Sequence, residues 1–211
     1  MTAASVMVKT VTVGRWRTNC YLVHDGATGI IIDPGDEPAL LIERIDAQGF
    51  RPLAILNTHA HFDHVGGVYD VRERYKAPFH LHSYDKRLLS HANLYRVLAG
   101  DKTVYSTPLI DKHLDAVSPL QLGGWRIDVI ATPGHTPGGV TFRVGHAVFS
   151  GDTLFADRLG RTDLPGGSQE QLDASLAALR AQPPECMLYP GHGPACELGA
   201  ALAAIHSRAY K

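Results

Sequence analysis

The sequence has little cysteine, no long apolar run and almost no net charge, and each scarcity excludes a class of protein. It has three cysteines, Cys20, Cys186 and Cys196, and a count that is small and odd argues against a disulfide framework. We therefore expect a reducing, cytoplasmic environment. The first residues lack the basic segment and apolar stretch of a secretory signal. No apolar run approaches the ~20 residues that span a bilayer, so we expect no membrane segment.

The charge and the length narrow the expectation further. A formal net charge of −1 provides no excess positive field that would attract nucleic acid or an anionic membrane surface, so neither is an expected partner. The composition does not indicate an oligomeric state. With 211 residues and 45% hydrophobic residues, the chain is long enough for one well-buried core and too short for two ordinary domains. A single domain over residues 1–211 is the prediction.

Hydrophobic periodicity predicts strands and helices in two successive sets, each of which ends with histidines in loops. The predicted strands are 6–13, 20–24, 30–32, 53–56, 125–130, 140–144, 147–150 and 187–189, and the predicted helices are 37–48, 68–75, 84–98, 169–181 and 199–207. This order favours an α/β fold, a sandwich of two similar αβ and βα halves. The stretch 82–116 is interpreted as an insertion or lid over the sheet edge.

Four candidate metal ligands follow the buried strand 53–56. They form the pattern His-x-His-x-Asp-His and are His59, His61, Asp63 and His64. Imidazole and carboxylate groups suit zinc and other first-row divalent ions. Alternate residues of an extended loop project to one side, so His59 and His61 are expected to share a direction. Asp63 and His64 lie at the turn into a helix and can diverge toward a second ion, so one loop could serve two metal sites.

This pattern resembles HxHxDH, the signature loop of the metallo-β-lactamase superfamily. The resemblance implies a four-layer αβ/βα sandwich and further ligands in loops after later strands, where His135, Asp152 and His192 occur in the expected order. By resemblance, one metal would be bound by His59, His61 and His135, a second by Asp63, His64 and His192, and Asp152 would bridge them through its two oxygens. The implied cofactors are two divalent metal ions, with zinc as first choice and iron or manganese as alternatives.

A site with two divalent cations favours a hydrolytic mechanism. Metal coordination lowers the pKa of water from 15.7 to ~7, so a metal-bound hydroxide is the expected nucleophile and no serine is needed for that role. One metal would also polarise the substrate carbonyl. Asp63 is a candidate proton acceptor during turnover, in addition to its role as a ligand.

Within the superfamily, the chain resembles glyoxalase II and its shorter relatives, which hydrolyse thioesters of glutathione. The segments that carry this resemblance are 19–23, 32–35, 59–64, 151–155 and 160–163. The chain continues after His192 without the C-terminal helical extension of full-length glyoxalase II, so the thiol is left open. We expect a small-molecule substrate, a thiol ester, and Arg161 is the candidate residue for binding an anionic part of it.

Other functions remain open on the same ligands. A mononuclear Fe(II) persulfide dioxygenase would use positions matching His59, His135 and Asp152, a lactonase would need the same hydroxide, and a metal-dependent binding protein would need no turnover. A β-lactamase is less favoured, because those enzymes have a cysteine where this chain has Asp152.

Overall fold

The computed structural model describes residues 6–208, and within this range the chain divides into two compact units. The N-terminal unit comprises the described residues up to Leu81 together with Lys86–His113. The C-terminal unit comprises His82–Asp85 and the described residues from Leu114 onward. Each unit contains one six-stranded β-sheet and associated helices. The predicted mixed α/β class is thereby confirmed.

The sheet of the N-terminal unit begins with an antiparallel meander and continues with parallel strands. Its strands, in their order across the sheet, are β1 (Met7–Val13), β2 (Thr18–His24), β3 (Thr28–Ile32), β4 (Arg51–Leu56), β5 (Phe79–Leu81) and β6 (Lys112–His113). The helices of this unit are α1 (Pro38–Gln48), α2 (Phe62–Val65), α3 (Val68–Tyr75), α4 (Lys86–Ser90) and α5 (Ala92–Leu98). Because β3 and β4 are parallel neighbours, the residues that follow them meet at one edge of the sheet.

The core of the N-terminal unit is formed by one face of this sheet and the apolar faces of its helices. Leu41 and Ile45 of α1 and Val68 of α3 are fully buried in it. Leu88 and Leu89 of α4 join the same cluster. The interpretation of residues 82–116 as a lid therefore needs correction, because part of this stretch belongs to the core and supplies edge strand β6.

The helix predicted over residues 84–98 is interrupted. It consists of a 3-10 turn at Ser83–Asp85 followed by α4 and α5, which meet at Ser90 and His91. The Ser90 hydroxyl donates to the carbonyl oxygen of Arg87 at 2.8 Å, and Nδ1 of His91 lies 2.8 Å from the same oxygen. Side chains that bond nearby carbonyls compete with helical hydrogen bonds and favour a break at this point.

The sheet of the C-terminal unit is mainly antiparallel. Its strands are β7 (Leu120–Leu122), β8 (Trp125–Ala131), β9 (Val140–Val144), β10 (Ala147–Gly151), β11 (Met187–Pro190) and β12 (Cys196–Glu197), and its helices are α6 (Gln169–Arg180) and α7 (Leu198–Arg208). The order across the sheet is β12-β11-β10-β9-β8-β7, and β10 and β11 form its parallel pair. Leu172, Leu176 and Leu179 of α6 are buried, the last two within a cluster that includes Leu188. Within residues 6–208, no helix has the length and apolar character required to cross a bilayer.

Candidate metal centre

The histidine loop, which we define as His59, His61, Asp63 and His64, starts after β4 and runs into α2. All four side chains are buried. The ring centroid of His59 lies 4.9 Å from that of His61 and 4.1 Å from that of His64. The N-terminal unit therefore gathers, in one buried cluster, the four donors that the sequence pattern predicts.

Asp33 anchors this loop, although the sequence analysis assigned it no role. Its Oδ1 accepts a hydrogen bond from the backbone N–H of Thr58 at 2.7 Å. Its Oδ2 accepts from Oγ1 of Thr58 at 2.6 Å and lies 3.1 Å from Nδ1 of His64. Asp33 follows β3 and the loop follows β4, so the parallel pairing of these strands explains the contact. The signal in the sequence was the position of Asp33 directly after a buried strand.

These contacts determine which ring nitrogen carries the proton in His59 and in His64. The Thr58 hydroxyl has one proton and gives it to Asp33, so it accepts from Nδ1 of His59, which lies 3.0 Å away. A carboxylate only accepts, so Nδ1 of His64 donates to Asp33. In both imidazoles the proton is therefore on Nδ1 and the lone pair is on Nε2. A hydrogen bond that fixes the tautomer in this way is typical of histidines that bind metal.

Asp63 is held in a geometry that suits a shared cation. Its Oδ2 accepts a hydrogen bond from Oγ1 of Thr18 at 2.9 Å and lies 3.7 Å from Nε2 of His64. That separation is too long for a hydrogen bond, but two ligands ~2.0–2.1 Å from a tetrahedral zinc ion lie roughly 3.3 Å apart. A Cβ atom on Gly35 would lie 1.9 Å from the carbonyl oxygen of Asp63, so only glycine permits this approach of the backbone.

The C-terminal donors, which we define as His135, Asp152 and His192, lie in three separate loops of the C-terminal unit, after β8, β10 and β11. The loops after β10 and β11 are joined by a hydrogen bond from the Gly191 N–H to the Gly151 carbonyl oxygen at 2.8 Å. Oδ2 of Asp152 lies 3.4 Å from Nε2 of His192 and 3.7 Å from Nε2 of His135. One carboxylate oxygen thus lies near both imidazoles, and the predicted bridge through the two oxygens of Asp152 stays a prediction.

Two further contacts orient His135. Its Nδ1 lies 2.8 Å from the carbonyl oxygen of Arg161, which can only accept, so here too the lone pair is on Nε2. The loop around it is anchored by Asp85, a fully buried carboxylate. Asp85 accepts from Oγ1 of Thr136 at 2.8 Å and from the N–H of Gly138 at 2.7 Å. Sequence patterns did not reveal Asp85, because its partners Thr136 and Gly138 lie 51 and 53 residues further along the chain.

The side chain of Arg161 is engaged in an exposed ion pair. Its guanidinium makes two hydrogen bonds of 2.7 Å to the carboxylate of Asp163. The hydrogen bonds from Arg161 lower the pKa of Asp163 to about 2. The predicted role of Arg161 in binding substrate stays a prediction, and the structure adds a different contact, that of its carbonyl oxygen with His135.

In both units the donors fit a divalent metal. The imidazole Nε2 atoms and carboxylate oxygens are ligands that zinc, iron and manganese accept. Within each unit, the separations of 3.4 to 3.7 Å between imidazole nitrogen and carboxylate oxygen match those of ligands on a common ion.

Comparison with known proteins identifies the family. Residues 13–192 match the metallo-beta-lactamase superfamily. The chain is 39% identical over 187 residues to "Probable metallo-hydrolase YqgX" of Bacillus subtilis (strain 168), a match that covers 86% of this chain and 88% of that protein. Relatives with this kind of name support a metal-dependent hydrolase.

Two solved structures are similar over nearly the whole chain. A crystal structure of BLEG-1 B3 metallo-beta-lactamase is 35% identical with a TM-score of 0.86 and covers 93% of this chain and 97% of that one. A crystal structure of TTHA1623 in a di-iron-bound form is 41% identical with a TM-score of 0.85 and covers 94% of this chain and 98% of that one. The fold and the superfamily expected from the histidine loop are confirmed, and the chain belongs to the metallo-β-lactamase superfamily.

Proposed function

We propose that this protein is a metal-dependent hydrolase in which the histidine loop and the C-terminal donors together hold two divalent cations. The observation that carries the proposal is the position of Asp152, whose Oδ2 lies 3.4 and 3.7 Å from the Nε2 atoms of His192 and His135. An oxygen shared by two imidazoles suits a ligand that bridges two ions. Membership of the superfamily and the relative solved in a di-iron-bound form support the same conclusion.

The assignment of ligands follows the resemblance to the family. The first cation is assigned to His59, His61 and His135, the second to Asp63, His64 and His192, and the bridge to Asp152. Two cations in such a site supply a nucleophile from water at neutral pH and stabilise negative charge on a carbonyl oxygen.

The chain's own residues fix the ligands and handle the proton. The proton on Nδ1 of His59, His64 and His135 keeps each Nε2 lone pair in place for coordination. Asp63 is oriented by Thr18 and is the residue we assign to proton uptake during turnover.

The identity of the metal is part of the proposal. Zinc is the first choice, since histidine and aspartate ligands at these spacings suit it. The di-iron form of a relative that is 41% identical brings iron into the same comparison, and manganese is accepted by the same donors.

The substrate we propose is a small-molecule thioester in the cytoplasm. The thioester is supported by the resemblance to glyoxalase II over several segments, including 151–155 and 160–163. The cytoplasmic location is supported by the scarcity of cysteine. A thiol leaving group has a pKa of ~8.5, so its thiolate departs with little help from an acid. Arg161 is the residue proposed to bind an anionic part of the substrate.

β-Lactam hydrolysis is the second candidate. The observation that favours it is the 35% identity to a protein described as a B3 metallo-beta-lactamase, over 93% of this chain. The presence of Asp152 in place of a cysteine weighed against it in the sequence analysis. Thioester hydrolysis and β-lactam hydrolysis would use the same metal site, so the two activities are distinguished by testing both substrates.

The experiment is elemental analysis of the purified protein combined with a panel of a thioester, a lactone, a β-lactam and a persulfide. We expect about two divalent ions per chain and hydrolysis of the thioester. The matched variants are His135→Ala and His146→Ala, two histidines of the C-terminal unit, of which the second is exposed in the turn between β9 and β10. Loss of metal and activity is expected in the first only. One iron per chain with oxygen uptake on the persulfide would replace the hydrolase by a dioxygenase.

A further inference from the structure

Arg96 carries a buried positive charge next to the histidine loop. It lies on α5, and its side chain is 1% exposed. Its Nη1 lies 2.8 Å from Oδ2 of Asp101 and 3.2 Å from Oδ2 of Asp36. A buried guanidinium is costly unless it is paired and hydrogen-bonded, so these two carboxylates are what make its burial tolerable.

Three aromatic rings surround the same guanidinium. Its Cζ atom lies 4.6 Å from the ring centroid of Tyr105, 5.3 Å from that of Phe62 and 5.5 Å from that of Trp16. Such contacts add cation–π attraction. The Tyr105 hydroxyl donates a hydrogen bond to Oδ1 of Asp36. Burial, and then this hydrogen bond, raises the pKa of Tyr105 to about 12, so the phenol stays protonated and keeps donating.

The remaining contact of the guanidinium is with the backbone between two proposed metal ligands. Nη2 of Arg96 donates to the carbonyl oxygen of Phe62 at 2.9 Å. Phe62 lies between His61 and Asp63 and begins α2, a helix of four residues. So short a helix leaves most of its carbonyl groups without a helical partner. A charge-assisted hydrogen bond to one of them is stronger than a neutral one and fixes the peptide plane.

We propose that Arg96 is a positioning residue for the metal centre, which fixes the backbone between His61 and Asp63 and so determines how tightly the histidine loop holds metal. This inference rests on the proposed function of the loop as a metal site. Arg96 joins three segments that the chain brings from far apart: the turn after β3 through Asp36, the loop itself through Phe62, and the residues after α5 through Asp101.

The planar guanidinium is needed for this task. It presents several N–H groups in a fixed fork and so can meet two carboxylates and a carbonyl at once. A lysine ammonium keeps the charge but is a single point on a flexible stem. Arg96→Lys should therefore retain charge balance in the buried cluster while losing the simultaneous contacts with Asp36 and Phe62.

The test is the affinity of the purified protein for Zn(II) alone, measured by competition with a chelator, together with urea unfolding of the metal-free protein. Changes in residues that orient metal ligands cost roughly 10–100-fold in affinity, and we expect about tenfold for Arg96→Lys. The matched control is Arg72→Lys, an arginine of α3 in the same unit with two 2.7 Å hydrogen bonds to Asp111. We expect unchanged Zn(II) affinity in this control.

The unfolding measurement separates positioning from plain stabilisation. If Arg96→Lys unfolds more easily without metal but binds Zn(II) as tightly as the wild type once folded, Arg96 is structural and the inference is wrong. If Arg96→Lys does not fold, Tyr105→Phe, which removes only the hydroxyl that orients Asp36, is compared in the same way, with weaker Zn(II) binding expected and unchanged binding contradicting it. A wild type that binds no metal would instead overturn the proposed function.

Discussion

The two units present their proposed metal donors in different ways. The N-terminal unit has four donors within six consecutive residues, His59 to His64, on one loop, and all four side chains are buried. The C-terminal unit has three donors in three loops, spread from His135 to His192. The first group depends on the position of one backbone segment, whereas each member of the second depends on its own strand end.

Because of this difference, a single substitution should have a larger effect in one unit than in the other. In the N-terminal unit, Asp33 orients His64 directly and His59 through Thr58, so loss of one carboxylate disturbs two ligands. In the C-terminal unit, Asp85 anchors only the loop that carries His135. The N-terminal donors are therefore expected to be the more sensitive group.

Among the residues that orient the donors, the largest effect is expected for Asp33→Asn. An amide has one acceptor oxygen in place of two and cannot receive all three hydrogen bonds from Thr58 and His64. We expect metal affinity to fall by roughly 10–100-fold, measured by chelator competition. Asp25→Asn is the control, because Asp25 in the same unit also accepts two backbone hydrogen bonds, from Ala27 and Thr28, but lies outside the metal site. An equal loss in both variants would contradict the role of Asp33.

A smaller loss is expected for Asp85→Asn. The remaining oxygen can still accept from Thr136 or from Gly138, and one donor of three is affected. We expect affinity for metal to fall about tenfold or less, at the lower end of the usual range for residues that orient a ligand. If Asp85→Asn lost more metal affinity than Asp33→Asn in the same competition assay, the N-terminal donors would not be the more sensitive group.

The structure could be predicted in part from local patterns. Four of the seven donors were predicted from the His-x-His-x-Asp-His pattern, and the other three from the resemblance to the superfamily that this pattern carries. Helix α3 was predicted at Val68–Tyr75 with its observed bounds. The anchors Asp33, Asp85 and Arg96 were not predicted, because each acts on a partner 25 to 53 residues away. The periodicity of a short stretch of sequence does not indicate contacts over such separations.

Short elements were missed for a related reason. β5, β6, β7 and β12 have only two or three residues each, too few for an alternating pattern to appear. They are specified by pairing with a longer neighbour. The stretch 82–116 was interpreted as an insertion or lid because its sequence is mixed, a predicted helix followed by a predicted loop. Leu88 and Leu89 nevertheless belong to the core of the N-terminal unit.

The N-terminal unit should also be the more sensitive to acid through His80. This residue of β5 is buried, and its Nε2 has no hydrogen-bond partner among residues 6–208. Burial, followed by the charge of Lys112, lowers its pKa to about 4. The unfolded chain binds a proton near pH 6.5 and the folded state does not, so stability falls as the pH falls from about 6.5 to about 4.

The measurement is the free energy of unfolding of the metal-free protein in urea at pH 6.5 and 5.5. Between these values, His80 should account for a loss of about 1 kcal/mol. In His80→Leu the loss should be smaller by that amount. The same pH dependence in both proteins would show that His80 is not the group responsible.

The smallest effect is expected for Arg161→Ala. The contact with His135 uses the backbone carbonyl, which the substitution keeps, so metal content should not change. An exposed ion pair contributes about 0.2–1 kcal/mol, so the KM for an anionic thioester should rise by no more than about fivefold. Asp163→Asn, which removes the competing carboxylate, should lower the KM. A loss of metal in Arg161→Ala would show that the side chain matters for the site itself.

The proposed function depends on the binding of two cations by the histidine loop and the C-terminal donors, and the decisive variant is Asp152→Ala. Wild type and variant would be loaded with Zn(II) or Fe(II), dialysed, and assayed for metal per chain and for thioester hydrolysis. We predict about two ions per chain in the wild type, and in the variant a loss of metal with activity about a thousandfold lower. Full hydrolysis by a metal-free Asp152→Ala protein would contradict the account.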